Sequence, residues 1–370
     1  MRVIIGADLV PTKTNIEYFA ESNLDVLFGE KLLDIIQSAD FRVFNLEVPL
    51  TDTVSPIKKC GPNLVAPVKT VNTYKSLNID LLTLANNHIL DQGVQGGLST
   101  INALKENDIN YIGAGENLSE ATKPYIIEDN DKKIGFYACA EHEFSIANEN
   151  SWGANPFDPL ESLDHISDLK EKCDYVIVLY HGGKEHYRYP SPDLQKVCRK
   201  ICEKGADLVV CQHSHCIGCE EKYGNSTIVY GQGNFLFDMS ESEFWQTSLL
   251  LTVDTDTGEV DYIPLQKDGC GVCLSTDENI LKEFKERSHK IKDKDFILNN
   301  YREFAMTMKE NYIQTVCGVG IIFRIINKLS GHRLKKRVSL NRLMAIENYL
   351  MCESHNELFK EGLKNTRTEK

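Results

Sequence analysis

Side chains able to hold a divalent cation stand in this sequence wherever a short apolar run gives out. In chain order they are Asp8 after Arg2–Ala7, Glu47 after Phe41–Leu46, Asn87 after Leu81–Ala85, His181 after Tyr175–Tyr180, and His213 and His215 after Leu208–Cys211. Carboxylate, amide and imidazole donors in this mixture suit Mn, Fe or Zn. Two cations about 3.5–4 Å apart need a bridging carboxylate and open positions for water and substrate oxygens. Glu47 is the natural bridge: with it, Asp8 and His215 would hold one ion, and Asn87, His181 and His213 the other. His88 directly follows a ligand and therefore belongs at the rim, where it can orient a phosphoryl oxygen or protonate a leaving group. Asp91 is its orienting partner. In an extended strand, residues i and i+2 point to one side, so His213 and His215 are expected to face one point. Taken singly, each residue has a plainer explanation: Asp8 as a helix cap, Glu47 as a solvated loop acid, Asn86-Asn87 as a left-handed turn, His181 as a core histidine. Their recurrence at successive strand ends favours a single pocket, because loops at the carboxyl ends of strands carry function in α/β folds.

The elements that must position these residues follow an α/β rhythm. Strands are expected at 2–7, 41–46, 81–85, 175–180, 208–211 and 227–230, and helices around 30–37, 68–77, 98–105 and 193–203. Residues 125–127 and 133–139 flank Asp129-Asn130-Asp131 as a hairpin, and 249–253 with 259–265 close another across Asp256-Thr257-Gly258. After about Lys267 the pattern turns to charged helix-forming sequence, so a domain of residues 1–267 and a helical extension of 268–370 are expected. Within the extension, an apolar repeat beside Arg333, Lys335, Lys336 and Arg337 admits a membrane-surface helix or, more plainly, a packed helix with a solvated basic face.

The chain has 370 residues, with 41 Lys plus Arg against 54 Asp plus Glu, a net charge of -13. That balance argues against nucleic acid or anionic lipid as a partner. The opening apolar stretch is short and broken by Asp8, and the late run 316–326 is interrupted by Arg324, so neither reads as a membrane segment of roughly 20 apolar residues. Twelve scattered Cys fit a reducing compartment, and the expected localisation is cytoplasmic. Cys216-x2-Cys219 and Cys270-x2-Cys273 offer a rival zinc site, with buried thiols the plainer reading.

The motifs resemble a known family: capsule-synthesis proteins of the CapA, or poly-γ-glutamate biosynthesis, type, distant relatives of calcineurin-like metallophosphoesterases. The likeness covers roughly residues 1–265. It rests on GAD at Gly6–Asp8, NLEVPLT at Asn45–Thr51, TLANNHILDQGVQGGLSTINAL at Thr83–Leu104 and YIGAGENLSEATKP at Tyr111–Pro124. GANPFDP at Gly153–Pro159, YHGGKEHY at Tyr180–Tyr187, GADLVVCQHSH at Gly205–His215 and IVYGQGNFLFD at Ile228–Asp238 complete it. The resemblance implies a four-layer αββα sandwich of two mixed sheets flanked by helices, and puts Asp8, Glu47, Asn87, His181, His213 and His215 at the family's ligand positions. The phosphoesterase relatives carry a His two residues after the first Asp, where this chain has Val10. The first metal therefore has fewer protein ligands, and one or two ions are expected.

Further residues near the motifs invite roles: Glu143 as a base or a grip on a substrate amine, Lys184, Glu185 and Arg188 as contacts to an anionic substrate, and Asn234, bonded to the site by backbone that Gly231 and Gly233 let pass closely. The expected function is a metal-dependent hydrolase cleaving a phosphoester in capsule, polysaccharide or poly-γ-glutamate metabolism, on a small anionic molecule or polymer. The alternatives are a capsule component acting on an amide or binding polymer, and a scaffold whose metal site is vestigial.

Overall fold

A computed structural model describes residues 1–316, 325–326, 329–330, 339–351 and 355. Contacts divide the chain into two units, Met1–Asn299 and Asn300–Lys370.

The first unit is built on two facing sheets. In the larger one, strands lie in the spatial order Gly271–Leu274, Glu259–Asp268, Thr247–Asp254, Arg2–Val10, Phe41–Asn45, Leu81–Thr83, Asn110–Ile112. The eighth, Asn234–Phe237, pairs in parallel with the second half of Arg2–Val10, beyond the point where Thr247–Asp254 stops. The second sheet runs Glu220–Tyr223, Ser226–Tyr230, Leu208–Gln212, Tyr175–His181, Lys132–Ala140, Tyr125–Asp129. Its four central strands are parallel, and antiparallel hairpins close both sides.

Alternation along the strands sorts the side chains into layers. Val3, Ile5, Val43, Ile177, Leu179, Val210 and Leu251 fill the space between the sheets. The intervening Ile4, Phe44 and Leu82 face helices through Leu32, Ile36, Tyr74 and Leu104, while Val176, Val178 and Val209 face Ile166, Leu169, Leu194 and Ile201. This is the expected four-layer sandwich of two mixed sheets between helices. The Glu30–Gln37 helix forms because Leu32, Leu33 and Ile36 recur at helical spacing and are buried. The Pro192–Glu203 helix opens on Ser191, whose hydroxyl accepts Leu194 N at 3.0 Å, with proline in the first turn.

Chain beyond residue 267, expected to start an extension, continues into the first unit. Gly271–Leu274 pairs with Glu259–Asp268, and Ile280 and Phe284 of the Glu278–Lys290 helix join the core between the sheets. Apolar residues buried against a sheet hold this segment where its charged composition suggested otherwise. The second unit is helical through residue 316 and over Leu340–Met351. The basic positions Arg333, Lys335, Lys336 and Arg337 lie outside the described residues. Among the described residues, no helix is long and apolar enough to cross a membrane.

Candidate metal centre

The parallel strands end along one edge, and register brings their last residues side by side. Asp8 lies opposite Asn45 on one neighbour and Asn234 on the other, while His181 lies between Ala140 and Gln212 in the facing sheet. The two sheets are tied near this edge by Gln212 Nε2, which donates to Gly6 O at 3.1 Å.

Among the described residues, two groups of donor atoms gather within 4.8 Å: Glu47 with His181 and His213, and Asp8 with Glu47 and His215. Glu47 is common to both. It is fully buried, and neither carboxylate oxygen accepts a hydrogen bond; Oε1 lies 3.1 Å from His181 Nε2 without hydrogen-bond geometry. His181 Nε2 also lies 3.1 Å from Asn87 Oδ1 and 3.2 Å from His213 Nδ1. One ring proton cannot satisfy three such neighbours. Asp8 Oδ2 is likewise unbonded, and His215 Nδ1 stands 3.6 Å from it as an ion pair. Two buried carboxylates whose lone pairs converge with imidazoles carry a large desolvation cost unless a cation meets them. The donor set fits divalent metal binding on that observation.

The electrostatics of the pocket agree. Burial works against the charged ring of His215, but Asp8 and Glu47 overcome it and lift the group to about 9. His181 is raised for the same reason, with burial opposing and Glu47 prevailing. Burial, then the charges of His181 and His215, pushes His213 well below the usual imidazole range. Asp8 is held low by His215 and His181 although burial pulls it upward.

Strand alternation, expected to aim the histidine doublet, does not do so. The strand ends at Gln212, and both His213 (φ +82°) and His215 (φ +52°) sit in left-handed backbone. Side-chain alternation therefore does not aim them; a tight loop sends His213 to one donor group and His215 to the other. Non-glycine residues in such conformations cost of order 1–3 kcal/mol each and collect at functional sites. Asn86 and Asn87 are not left-handed; both are buried, so the turn alternative fails. Asn86 Nδ2 donates to Asn45 Oδ1 at 3.1 Å and to Leu46 O at 2.8 Å, bracing the segment before Glu47.

The remaining candidates fall into place unevenly. His88 Nδ1 lies 2.6 Å from Asp91 Oδ2. Glu143 is exposed, and its Oε2 accepts Asn87 Nδ2 at 2.8 Å, which turns the amide oxygen of Asn87 toward His181. Asn234 Oδ1 is 2.7 Å from His215 Nδ1, and its Nδ2 is buried without a partner. Lys184 is exposed and Glu185 half-buried. Arg188 is engaged elsewhere: it donates to Ile217 O at 3.1 Å, pairs with Glu243 at 3.5 Å, and lies 4.8 Å above the Phe244 ring. Val10 is buried in register with Phe237. No cysteine among the described residues belongs to a metal-capable group, so the CxxC pairs form no such site there.

Several neighbours carried no reading in the sequence. Asn45 donates to Asp8 Oδ1 at 2.7 Å; its place at the head of NLEVPLT was an available signal. Trp245 stands 4.7 Å from His215 and donates to His186 at 2.9 Å, and His186 stacks on Phe244 at 5.2 Å. Lys59, on an irregular loop, pairs with Asp91. Spacing gave no hint of these last contacts.

A family model described as bacterial capsule synthesis protein PGA_cap matches residues 4–239. The chain is 30% identical over 241 residues to the capsule biosynthesis protein CapA of Bacillus anthracis, covering 62% of this chain and 59% of that protein. It is 30% identical over 243 residues to the PGA biosynthesis protein CapA of Bacillus subtilis strain 168, covering 64% and 60%. The alignments thus span about three-fifths of those relatives. Among solved structures, one described as a novel phosphatase from Mycoplasma pneumoniae is 15% identical with a TM-score of 0.44, covering 76% of this chain and 96% of that one.

Proposed function

Because the chain belongs to the bacterial capsule synthesis PGA_cap family, we propose that the pocket around Glu47 makes it a metal-dependent hydrolase, cleaving a phosphoester in capsule, polysaccharide or poly-γ-glutamate metabolism. The observation that carries this reading is Glu47 itself, buried with both oxygens unbonded and shared by two donor groups. Asp8, Glu47 and His215 would hold one ion, and Glu47, Asn87, His181 and His213 the other. Mn, Fe or Zn in those places would supply positive charge for the phosphoryl oxygens and lower the pKa of an attacking water.

The chain's own groups do the rest. Asp91 accepts the Nδ1 proton of His88, which leaves Nε2 to carry a proton to the departing oxygen. Asn45 and Asn234 fix Asp8 and His215 by hydrogen bonds, so the pocket need not reorganise when substrate arrives. Trp245, with its ring centre 4.7 Å from that of His215, gives one wall an apolar surface. Lys184, outside the pocket, adds positive charge toward an anionic substrate.

A second reading, cleavage of an amide or binding of polymer, follows from the relative named for PGA biosynthesis. Metal analysis with a panel of phosphoesters and γ-glutamyl amides, run on the wild type, Glu47→Ala and His88→Ala, separates the two. Phosphoester turnover that disappears with His88→Ala while metal stays bound supports the hydrolase. Amide turnover alone, or bound metal with no turnover of any substrate, supports the second reading. Absence of metal from the native protein overturns the first.

A further inference from the structure

A buried cation beside His88 comes from a surface loop. Residues 52–63 form no helix or strand and are mostly exposed, yet the Lys59 side chain is only 1% exposed and pairs with the fully buried Asp91. Asp91 divides its oxygens. Oδ1 meets the Lys59 ammonium as an ion pair without hydrogen-bond geometry, while Oδ2 takes His88 Nδ1 at 2.6 Å and Leu64 N at 2.6 Å. The Asp91 carbonyl accepts Ile57 N at 3.0 Å, and neighbouring Gln92 accepts Ser55 N at 2.7 Å and donates to Leu64 O at 2.9 Å. Lys59 Nζ also stands 3.3 Å from His88 Nδ1 and 5.1 Å over the Phe144 ring, on the loop that carries Glu143.

Drawing a lysine and an aspartate out of water is costly, and an apolar pair of similar volume would often hold a loop as well or better. What an apolar pair cannot do is assign the two oxygens of Asp91. With the ammonium against Oδ1 and Leu64 N on Oδ2, turning the carboxylate away from the imidazole would give up both contacts.

We propose that Lys59 is a positioning residue: by fixing Asp91 it sets the orientation of His88, and it makes that orientation depend on the 52–63 loop being seated. The proposal rests on reading His88 as the group serving the leaving oxygen, and its test is chosen to work without turnover. Full-length wild type, Lys59→Met and Lys59→Arg are compared by amide hydrogen exchange and by the imidazole nitrogen resonances of His88, assigned by their loss in His88→Gln.

Lys59→Met is expected to speed exchange of the Ile57 and Leu64 amides by about tenfold or more while the sheets keep their protection. The His88 resonances shift, and Lys59→Arg returns them partway. On any phosphoester the wild type cleaves, kcat falls by about 10- to 100-fold with KM little changed. Unaltered exchange and unaltered His88 resonances in Lys59→Met overturn the proposal, as does protection lost equally from both sheets, which marks Lys59 as a stability residue only. If the wild type turns over no substrate, the hydrolase reading fails, and exchange with the imidazole signals still decides the role of Lys59.

Discussion

Glu47 is the residue on which the pocket turns, since both donor groups include it and protein hydrogen bonds satisfy neither of its oxygens. Glu47→Gln keeps the shape and removes the charge. It should weaken metal binding by more than about 100-fold, beyond the 10–100-fold typical of outer partners, as read by isothermal titration calorimetry and metal analysis. Glu143→Gln, acting through the Asn87 amide, should fall inside that smaller range. A proton would compete with a metal at His215. Against burial, Asp8 and Glu47 lift its group to about 9 in the folded chain against 6.5 unperturbed, so the charged ring adds stability in full below pH 6.5 and loses it as pH rises through about 9. Over that same window the ring becomes free to bind, and metal affinity should rise from pH 6.5 to 9 with proton release on uptake. Calorimetry in buffers of different ionisation enthalpy measures that release; a pH-independent affinity with no proton release would remove His215 from the ligand set.

At the scale of elements, the loop after Leu208–Gln212 does what a strand cannot, because left-handed backbone at His213 and again at His215 splits the two histidines between two donor groups. Its conformation leans on the glycine turn before Asn234–Phe237. Gly231 has φ +105°, and a Cβ there would stand 2.6 Å from Ser214 Oγ and 2.8 Å from Cys216 O. Gly231→Ala should cost about 1–3 kcal/mol of stability in urea denaturation and loosen metal binding, since Ser214 lies between the two histidines. Gly224, also at positive φ but with open space around it, provides the control: Gly224→Ala should leave metal affinity unchanged.

At the scale of the molecule, the sandwich needs chain beyond residue 267. Phe284 packs between the sheets, and loss of one such ring alone costs about 3–5 kcal/mol. A chain ending at residue 299 should therefore melt close to the full-length protein and bind metal equally well. One ending at residue 267 loses the Gly271–Leu274 strand and the Glu278–Lys290 helix, and should melt roughly 10 °C lower or more, measured by circular dichroism. Equal melting of the two shortened chains would mean that residues 268–299 do not support the first unit.

Legibility in the sequence followed the reach of each interaction. Strand alternation and helical spacing are set by neighbours two to four residues apart, so the α/β order could be read from the chain. With parallel strands ending on one edge, so could the gathering of Asp8, Glu47, Asn87, His181, His213 and His215. The resemblance in the motifs added the sandwich. Tertiary structure decided how the histidine doublet is aimed, that Arg188 is occupied by Ile217 and Glu243, that Asn45 braces Asp8, and that Lys59 enters beside His88. The histidine doublet follows its loop backbone, and the other contacts join segments tens of residues apart, beyond the reach of local spacing, so their geometry exists only once the chain has folded.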